Sequence, residues 1–156
     1  MSLVDTIVKK SSFVVATGFG LGLIPKAPGT FGSLLGIPLG VFLSQLSLSI
    51  SIPMLLISTV LGILIIKEAE KSFEHHDASE IVLDEIIGQA IPLMVIEPTP
   101  QNIVLSFLFF RVFDIVKKGP VGWADRNIKG ATGIMVDDIV AGVLAAIVVY
   151  AINILI

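Results

Sequence analysis

FRVFDIVKKGPVGWADRNIKGATGIMVDDIVAG, residues 110–142, carries Arg111, Asp114, Lys117, Lys118, Asp125, Arg126, Lys129, Asp137 and Asp138 in a chain that is otherwise strongly apolar. Of the 156 residues, 54% are hydrophobic and only 15% charged, against about 25% charged in a typical soluble domain. Mean hydropathy is +0.98. The chain therefore reads as an integral membrane protein, in which an ionised side chain at mid-depth costs roughly 2.5–3.5 kcal/mol. Charges persist in such a setting where they pair, reach water or bind something. This stretch accordingly decides both where helices end and where chemistry sits.

Working outward from it, residues 139–156 form a long, β-branched, nearly uncharged run that can span a bilayer. Residues 81–96 and 102–116 are two further apolar runs separated by EPTPQ, a Pro-containing turn that predicts a helical hairpin. Residues 33–48 and 52–66 predict another, broken near Ser49 and Ser51, with Pro53 in the first turn of its second helix. Each of these two runs approaches the roughly 20 residues of a full span only when extended to Thr30 and Lys71. The Gly- and Pro-rich stretch FVVATGFGLGLIPKAPGTF, residues 13–31, resists a regular helix and predicts a loop or a broken, partly inserted segment. KEAEKSFEHHDASE, residues 67–80, is the most polar part and belongs in water. The expected architecture is all-α: a multi-pass helical membrane protein of about five passes, with a broken N-terminal segment and one domain over residues 1–156.

Running the first pass outward puts all ten cations (Lys9, Lys10, Lys26, Lys67, Lys71, Arg111, Lys117, Lys118, Arg126, Lys129) on one side, which the positive-inside rule makes the cytoplasm. The same fold-back brings Asp84, Glu85, Asp114, Asp137 and Asp138 to that face. A formal charge of -3 with scattered cations leaves no basic stripe, so no nucleic-acid partner is expected. The absence of cysteine excludes disulfides, cysteine nucleophiles and thiolate metal sites. MSLVDTIVKKSS lacks the short apolar core and small-residue cleavage site of a removable signal peptide. Oligomeric state is left open.

Each constellation has a plainer account beside the chemical one. Asp84–Glu85 and Asp137–Asp138 would suit helix starts through the dipole alone, and Arg111–Asp114 has the spacing of a structural ion pair. Ala141 and Gly142, four positions beyond the second acidic pair, would admit a neighbouring helix. Thr30 and Ser33 would either bind phosphate at a helix start or merely cap it. His75 and His76 would offer a base or metal ligand, or simply be solvated. Trp123 and Tyr150 fit interfacial anchors. Five converging carboxylates nevertheless demand compensating cations, and hard oxygen ligands without cysteine favour Mg²⁺ or Mn²⁺ over zinc. Phosphate chemistry then suits Lys117, Lys118, Arg126 and Lys129, with Gly119, Gly122, Gly130 and Gly133 allowing close backbone approach.

Four ordered blocks together resemble the phosphatidylglycerophosphatase A family: GFGLGLIPKAPGTFGS (18–33), HDASEIVLDEIIG (76–88), FRVFDIVK (110–117) and WADRNIKGATGIMVDDIVAG (123–142). The resemblance covers most of the chain. It implies an all-helical fold, Mg²⁺ dependence, and conversion of phosphatidylglycerophosphate to phosphatidylglycerol at the bacterial inner membrane. Asp84 and Glu85 match the family's DE pair, Asp114 its FD, Asp125 and Arg126 its DR, and Asp137 and Asp138 its DD. Two departures occur: the family's Lys-Pro-Trp-Pro stands here as Lys117, Lys118, Gly119, Pro120, and its Gly-Gly as Gly130, Ala131.

The expected catalytic set is Asp84, Glu85, Asp114, Asp125, Asp137 and Asp138, with all but Asp125 as Mg²⁺ ligands. Lys26, Thr30, Arg111, Lys117 and Arg126 are the expected substrate-binding residues. With no DxDxT block, direct attack by water is expected rather than a phosphoaspartate. A small transporter or ion-coupled channel using the carboxylates as a relay is the competing class, followed by a non-catalytic helical subunit. Relay carboxylates belong near the bilayer midplane, whereas these fall at predicted helix ends.

Overall fold

The computed structural model describes residues 3–73 and 78–155. Among them there are seven α-helices and no strand: α1 (Leu3–Ala16), α2 (Pro28–Ser44), α3 (Leu48–Ala69), α4 (Leu83–Val95), α5 (Pro100–Val116), α6 (Gly119–Asn127) and α7 (Gly130–Leu155). His75 and His76 lie outside the described residues.

The bundle is organised around α4, the shortest of the strongly apolar helices. Its 13 residues reach about 20 Å. Every residue from Ile87 to Met94 is buried, because α2 and α7 pack along it and α3 and α5 close the remaining sides. The α2 seam depends on Gly29, Gly32, Gly36 and Gly40, which recur on one helical face. A methyl at Gly36 would stand 2.5 Å from the Ile86 carbonyl and 2.8 Å from Gln89 Cβ, and one at Gly40 would stand 2.7 Å from Leu93 Cβ. On the other side, Pro92 has no N–H to give the Gly88 carbonyl one turn earlier. Gly142 of α7 packs on that carbonyl with no room for a side chain.

Near the start of α4, Ile66, Ala69, Ile81, Ile87, Ala131 and Met135 join α3, α4 and α7 in one apolar cluster that also holds Ala16 of α1. A second cluster of Phe110, Val121, Ala141 and Ala145 fixes α6 between α5 and α7. Residues 48–72 and 130–155 are long and apolar enough to cross a membrane. Only 17% and 28% of their most apolar windows are buried, so most of that surface faces outward, through residues such as Leu56, Val60 and Leu64 on α3 and Val143 and Ile147 on α7. Exposed apolar surface on this scale marks contact with a membrane or partner.

The all-helical expectation is met, with differences in detail. The first break falls at Gln45–Ser47, so Pro53 lies inside α3 rather than in its first turn. Ser47 is the extended N-cap, and Ser51 turns its hydroxyl back onto the Ser47 carbonyl at 3.3 Å. The expected hairpin of the first two apolar runs is not a packed pair: α2 lies mainly on α4, and α3 on α1. The glycine face of α2 explains this preference. Part of the Gly-rich segment is α1, which ends at Ala16 before a 3-10 turn at Leu21–Leu23. The loop expected before the last pass contains α6, and α7 begins nine residues early, with Gly133 of its first turn packed directly on the Ile128 carbonyl.

Candidate active site

The starts of α2 and α4, the end of α5 and the third turn of α7 enclose a cavity of about 200 Å³ lined by Asp84, Glu85, Arg111, Asp114, Lys117, Asp137 and Asp138, with Ala27, Pro28 and Gly29 forming one wall. Asp84 and Glu85 occupy the first turn of α4, where the helix dipole favours negative charge. Asp137 and Asp138 instead lie about two turns inside α7, so no helix-start dipole accounts for them. When ionised, the five carboxylates outnumber the two lining cations by three charges.

Two of the five are committed to cations. Asp114 Oδ2 accepts from Arg111 Nη1 at 2.6 Å, and the same nitrogen reaches Ser33 Oγ at 3.3 Å and Glu85 Oε1 at 3.9 Å. Lys117 Nζ donates to Asp125 Oδ1 and to Asp137 Oδ2, each at 2.7 Å, and so ties α5, α6 and α7 together. Burial alone would pull the Lys117 ammonium down, but these two carboxylates outweigh it and hold the lysine above its ordinary range. The backbone is strained at the same place: Lys117 has φ 45° and Ala27, across the cavity, φ 53°. Such left-handed non-glycine residues cost about 1–3 kcal/mol each and cluster at functional sites.

The remaining three carboxylates are drawn together. Asp84, Glu85 and Asp138 each offer an oxygen, and these atoms lie within 4.8 Å of one another. Asp84 Oδ1, Glu85 Oε2 and Asp138 Oδ2 are buried without a hydrogen-bond partner. Buried polar atoms are rarely left so. Three neighbouring carboxylates, each keeping one buried oxygen without a partner, fit a divalent cation such as Mg²⁺.

Of the residues singled out in the sequence, the five carboxylates, Arg111 and Lys117 all line this cavity, and Asp125 joins through Lys117. Lys26 and Arg126 are exposed and, like Thr30 in the first turn of α2, do not line it. Ser33 donates to the Gly29 carbonyl at 2.7 Å and supports Arg111. The sequence reading overlooked Gly29, where a side chain would collide with Glu85 Oε1 and crowd Arg111; the spacing of Gly29, Gly32, Gly36 and Gly40 was the available signal. It also left Lys129 and Glu70 without a shared place. Both line a second recess of about 430 Å³, together with Asp125, Ile128, Gly130, Gly133, Ile134 and Asp137.

Comparison with known proteins gives the family. The sequence pattern of the phosphatidylglycerophosphatase A family matches residues 14–153. A phosphatidylglycerophosphatase A from Escherichia coli (strain K12) is 39% identical over 141 residues, covering 90% of this chain and 82% of that protein. One from Haemophilus influenzae is 40% identical over 142 residues, covering 90% and 87%. A Bacteroides thetaiotaomicron protein provisionally named a phosphatidylinositol-3-phosphatase is 35% identical over 157 residues, covering 91% and 95%. No solved structure matches. On the family match and the two relatives that bear its name, this chain belongs to the phosphatidylglycerophosphatase A family.

Proposed function

We propose that the protein is a Mg²⁺-dependent phosphomonoesterase that hydrolyses phosphatidylglycerophosphate to phosphatidylglycerol and inorganic phosphate. The observation that carries this reading is the trio of unpartnered, buried carboxylate oxygens on Asp84, Glu85 and Asp138 beside the Arg111 guanidinium. Asp84, Glu85 and Asp138 would hold Mg²⁺, which when bound polarises phosphoryl oxygens and lowers the pKa of water.

The chain's own residues do the rest. Arg111, held by Asp114 and Ser33, presents its guanidinium to the phosphate oxygens. Lys117, fixed from both sides by Asp125 and Asp137, adds a second positive charge at the cavity wall where negative charge grows. Asp114, Asp125 and Asp137 therefore position cations rather than hold metal. Water adds across the bond between phosphorus and the headgroup oxygen, releasing the lipid alcohol. Lys26, Thr30 and Arg126, outside the cavity, take no part at the reacting atoms.

The lipid substrate is supported by the names of the Escherichia coli and Haemophilus influenzae relatives and by the outward apolar surface of α3 and α7. In this reading residues 1–156 form one domain in the bacterial inner membrane, with α2, α3, α4, α5 and α7 as five passes. The ends of α3 and α5 and the starts of α4 and α7 then share the cytoplasmic side with the cations. Asp84 and Glu85 at the start of α4 and Asp114 near the end of α5 put the cavity on the side of the cations, which disfavours a transport relay with its carboxylates at the midplane.

The deciding experiment is phosphate release from phosphatidylglycerophosphate by the purified protein in detergent, with Mg²⁺ and then with EDTA. Release that EDTA abolishes and fresh Mg²⁺ restores is expected. A folded sample that releases none sinks the reading.

A further inference from the structure

The cavity and the second recess are neighbours, and the wall between them is made of side chains. Asp137 and Ile134 line both spaces. The Lys117 bridge joins Asp137, which faces both, to Asp125, which lines only the recess. The recess is the larger of the two, at about 430 Å³ against 200 Å³. Its character also differs. Its lining holds three carboxylates, Glu70, Asp125 and Asp137, the last two bridged by Lys117, and one cation of its own: Lys129 lines the recess, is exposed, and makes no ion pair or hydrogen bond among the described residues. Lys117 engages only Oδ1 of Asp125, so that carboxylate keeps acceptor capacity toward the recess.

Resting on the proposed phosphatase reading, we propose that the recess is the subsite for the rest of the headgroup. Lys129 binds the phosphodiester that joins headgroup to diacylglycerol, and Asp125 accepts from the hydroxyl between the two phosphates. A phosphatidylglycerophosphate headgroup carries three functions in sequence: a diester phosphate, a hydroxyl-bearing carbon and a terminal monoester. Two adjoining spaces, one with five carboxylates around two cations, the other with Lys129, unpaired among the described residues, in the same recess as the Asp125 acceptor, match that order. A phosphorylated inositol lipid has the same order of diester, hydroxyls and monoester, so the name given to the Bacteroides thetaiotaomicron relative fits the same two-space site. Phosphatidate has a monoester but neither of the other two functions, and would leave the recess empty. The enzyme's preference among lipid phosphates is thereby set outside the acidic cavity, by Lys129.

The test uses the full-length enzyme in detergent with Lys129→Ala and Lys129→Arg. Because Lys129 is exposed on the connection before α7, neither substitution disturbs packing. Loss of one charge-assisted contact should raise KM for phosphatidylglycerophosphate about tenfold with kcat within about twofold, and Lys129→Arg should recover most of it. The ratio of kcat/KM for phosphatidylglycerophosphate over phosphatidate should fall in step. An unchanged KM, a fall in kcat alone, or a KM increase that Lys129→Arg does not reverse overturns the subsite while leaving the phosphatase reading intact. No release by the unsubstituted enzyme overturns the phosphatase reading and the subsite with it.

Discussion

The two ends of the bundle both bury polar side chains, and they treat them in opposite ways. At the end away from the cavity, Asn153 Nδ2 donates to Asn102 Oδ1 at 2.9 Å, Asn102 Nδ2 donates to the Glu97 carbonyl at 2.9 Å, and Thr99 Oγ1 accepts from the Asn102 backbone at 3.2 Å. This pairing joins α5 to α7 with its side-chain donors matched to acceptors. At the other end, Asp84, Glu85 and Asp138 each keep a buried oxygen with nothing to bind. At the far end the Asn102 and Asn153 amides are satisfied within the chain, whereas at the cavity the carboxylates keep oxygens open to a ligand; between the ends, Gln89 and Ser106 are also buried without a partner.

The strongest way to break that contrast is to neutralise the open end. Asp84→Asn and Asp138→Asn should each lower phosphate release at least about a hundredfold, yet leave the melting temperature in EDTA equal to or above that of the unsubstituted protein, since a repulsion has been removed. Added Mg²⁺ should raise the melting temperature of the unsubstituted protein and not that of the variants. Retained activity in either folded variant would show that the open oxygens serve something else.

Next in size is the α2 seam, which belongs to neither end. Gly36→Leu must displace the Ile86 carbonyl and Gln89 and should cost about 1–3 kcal/mol of stability, read by denaturation in detergent. At the satisfied end, Asn153→Ala should cost about 1 kcal/mol and leave activity within about twofold. A large activity loss there would erase the distinction between the two ends.

The smallest effect concerns pH. Asp125 and Asp137 raise the folded-state pKa of Lys117, despite burial that lowers it. Its stabilising contribution is therefore complete below the unfolded value of about 10.4 and is lost only as pH climbs through the higher folded one. The melting-temperature difference between the unsubstituted protein and Lys117→Met should stay flat from about pH 6 to 9 and shrink only in stronger alkali. A difference that vanishes near neutrality would place the proton elsewhere.

Much of the bundle was legible because continuous apolar runs can hardly be anything else: α2, α3, α4, α5 and α7 follow from them to within a few residues at most ends. Run length alone, however, does not say which faces meet. Pairing α2 with its chain neighbour α3 failed because the deciding signal is four residues with no side chain, and these add little to hydropathy. The short α6 and the early start of α7 were hidden by Gly119, Gly130 and Gly133, which read as loop when tallied by propensity. Carboxylates were easy to find, since charge is costly in so apolar a chain. Their division into three left open and two held by Arg111 and Lys117 depends on side-chain distances that spacing along the sequence does not contain.

Gly29 shows what that division rests on. The block APGTFGS invites a reading in terms of what its hydroxyls hold, yet its contribution at Gly29 is a gap: the space where a methyl group would stand is filled by Glu85 Oε1 and bordered by Arg111. The motif works as a spacer gauge, setting how near α2 comes to the first turn of α4 and hence how wide the acidic cavity opens. Even alanine there would act as a wedge, and a residue that touches no substrate would then govern the fit of every ligand the cavity admits.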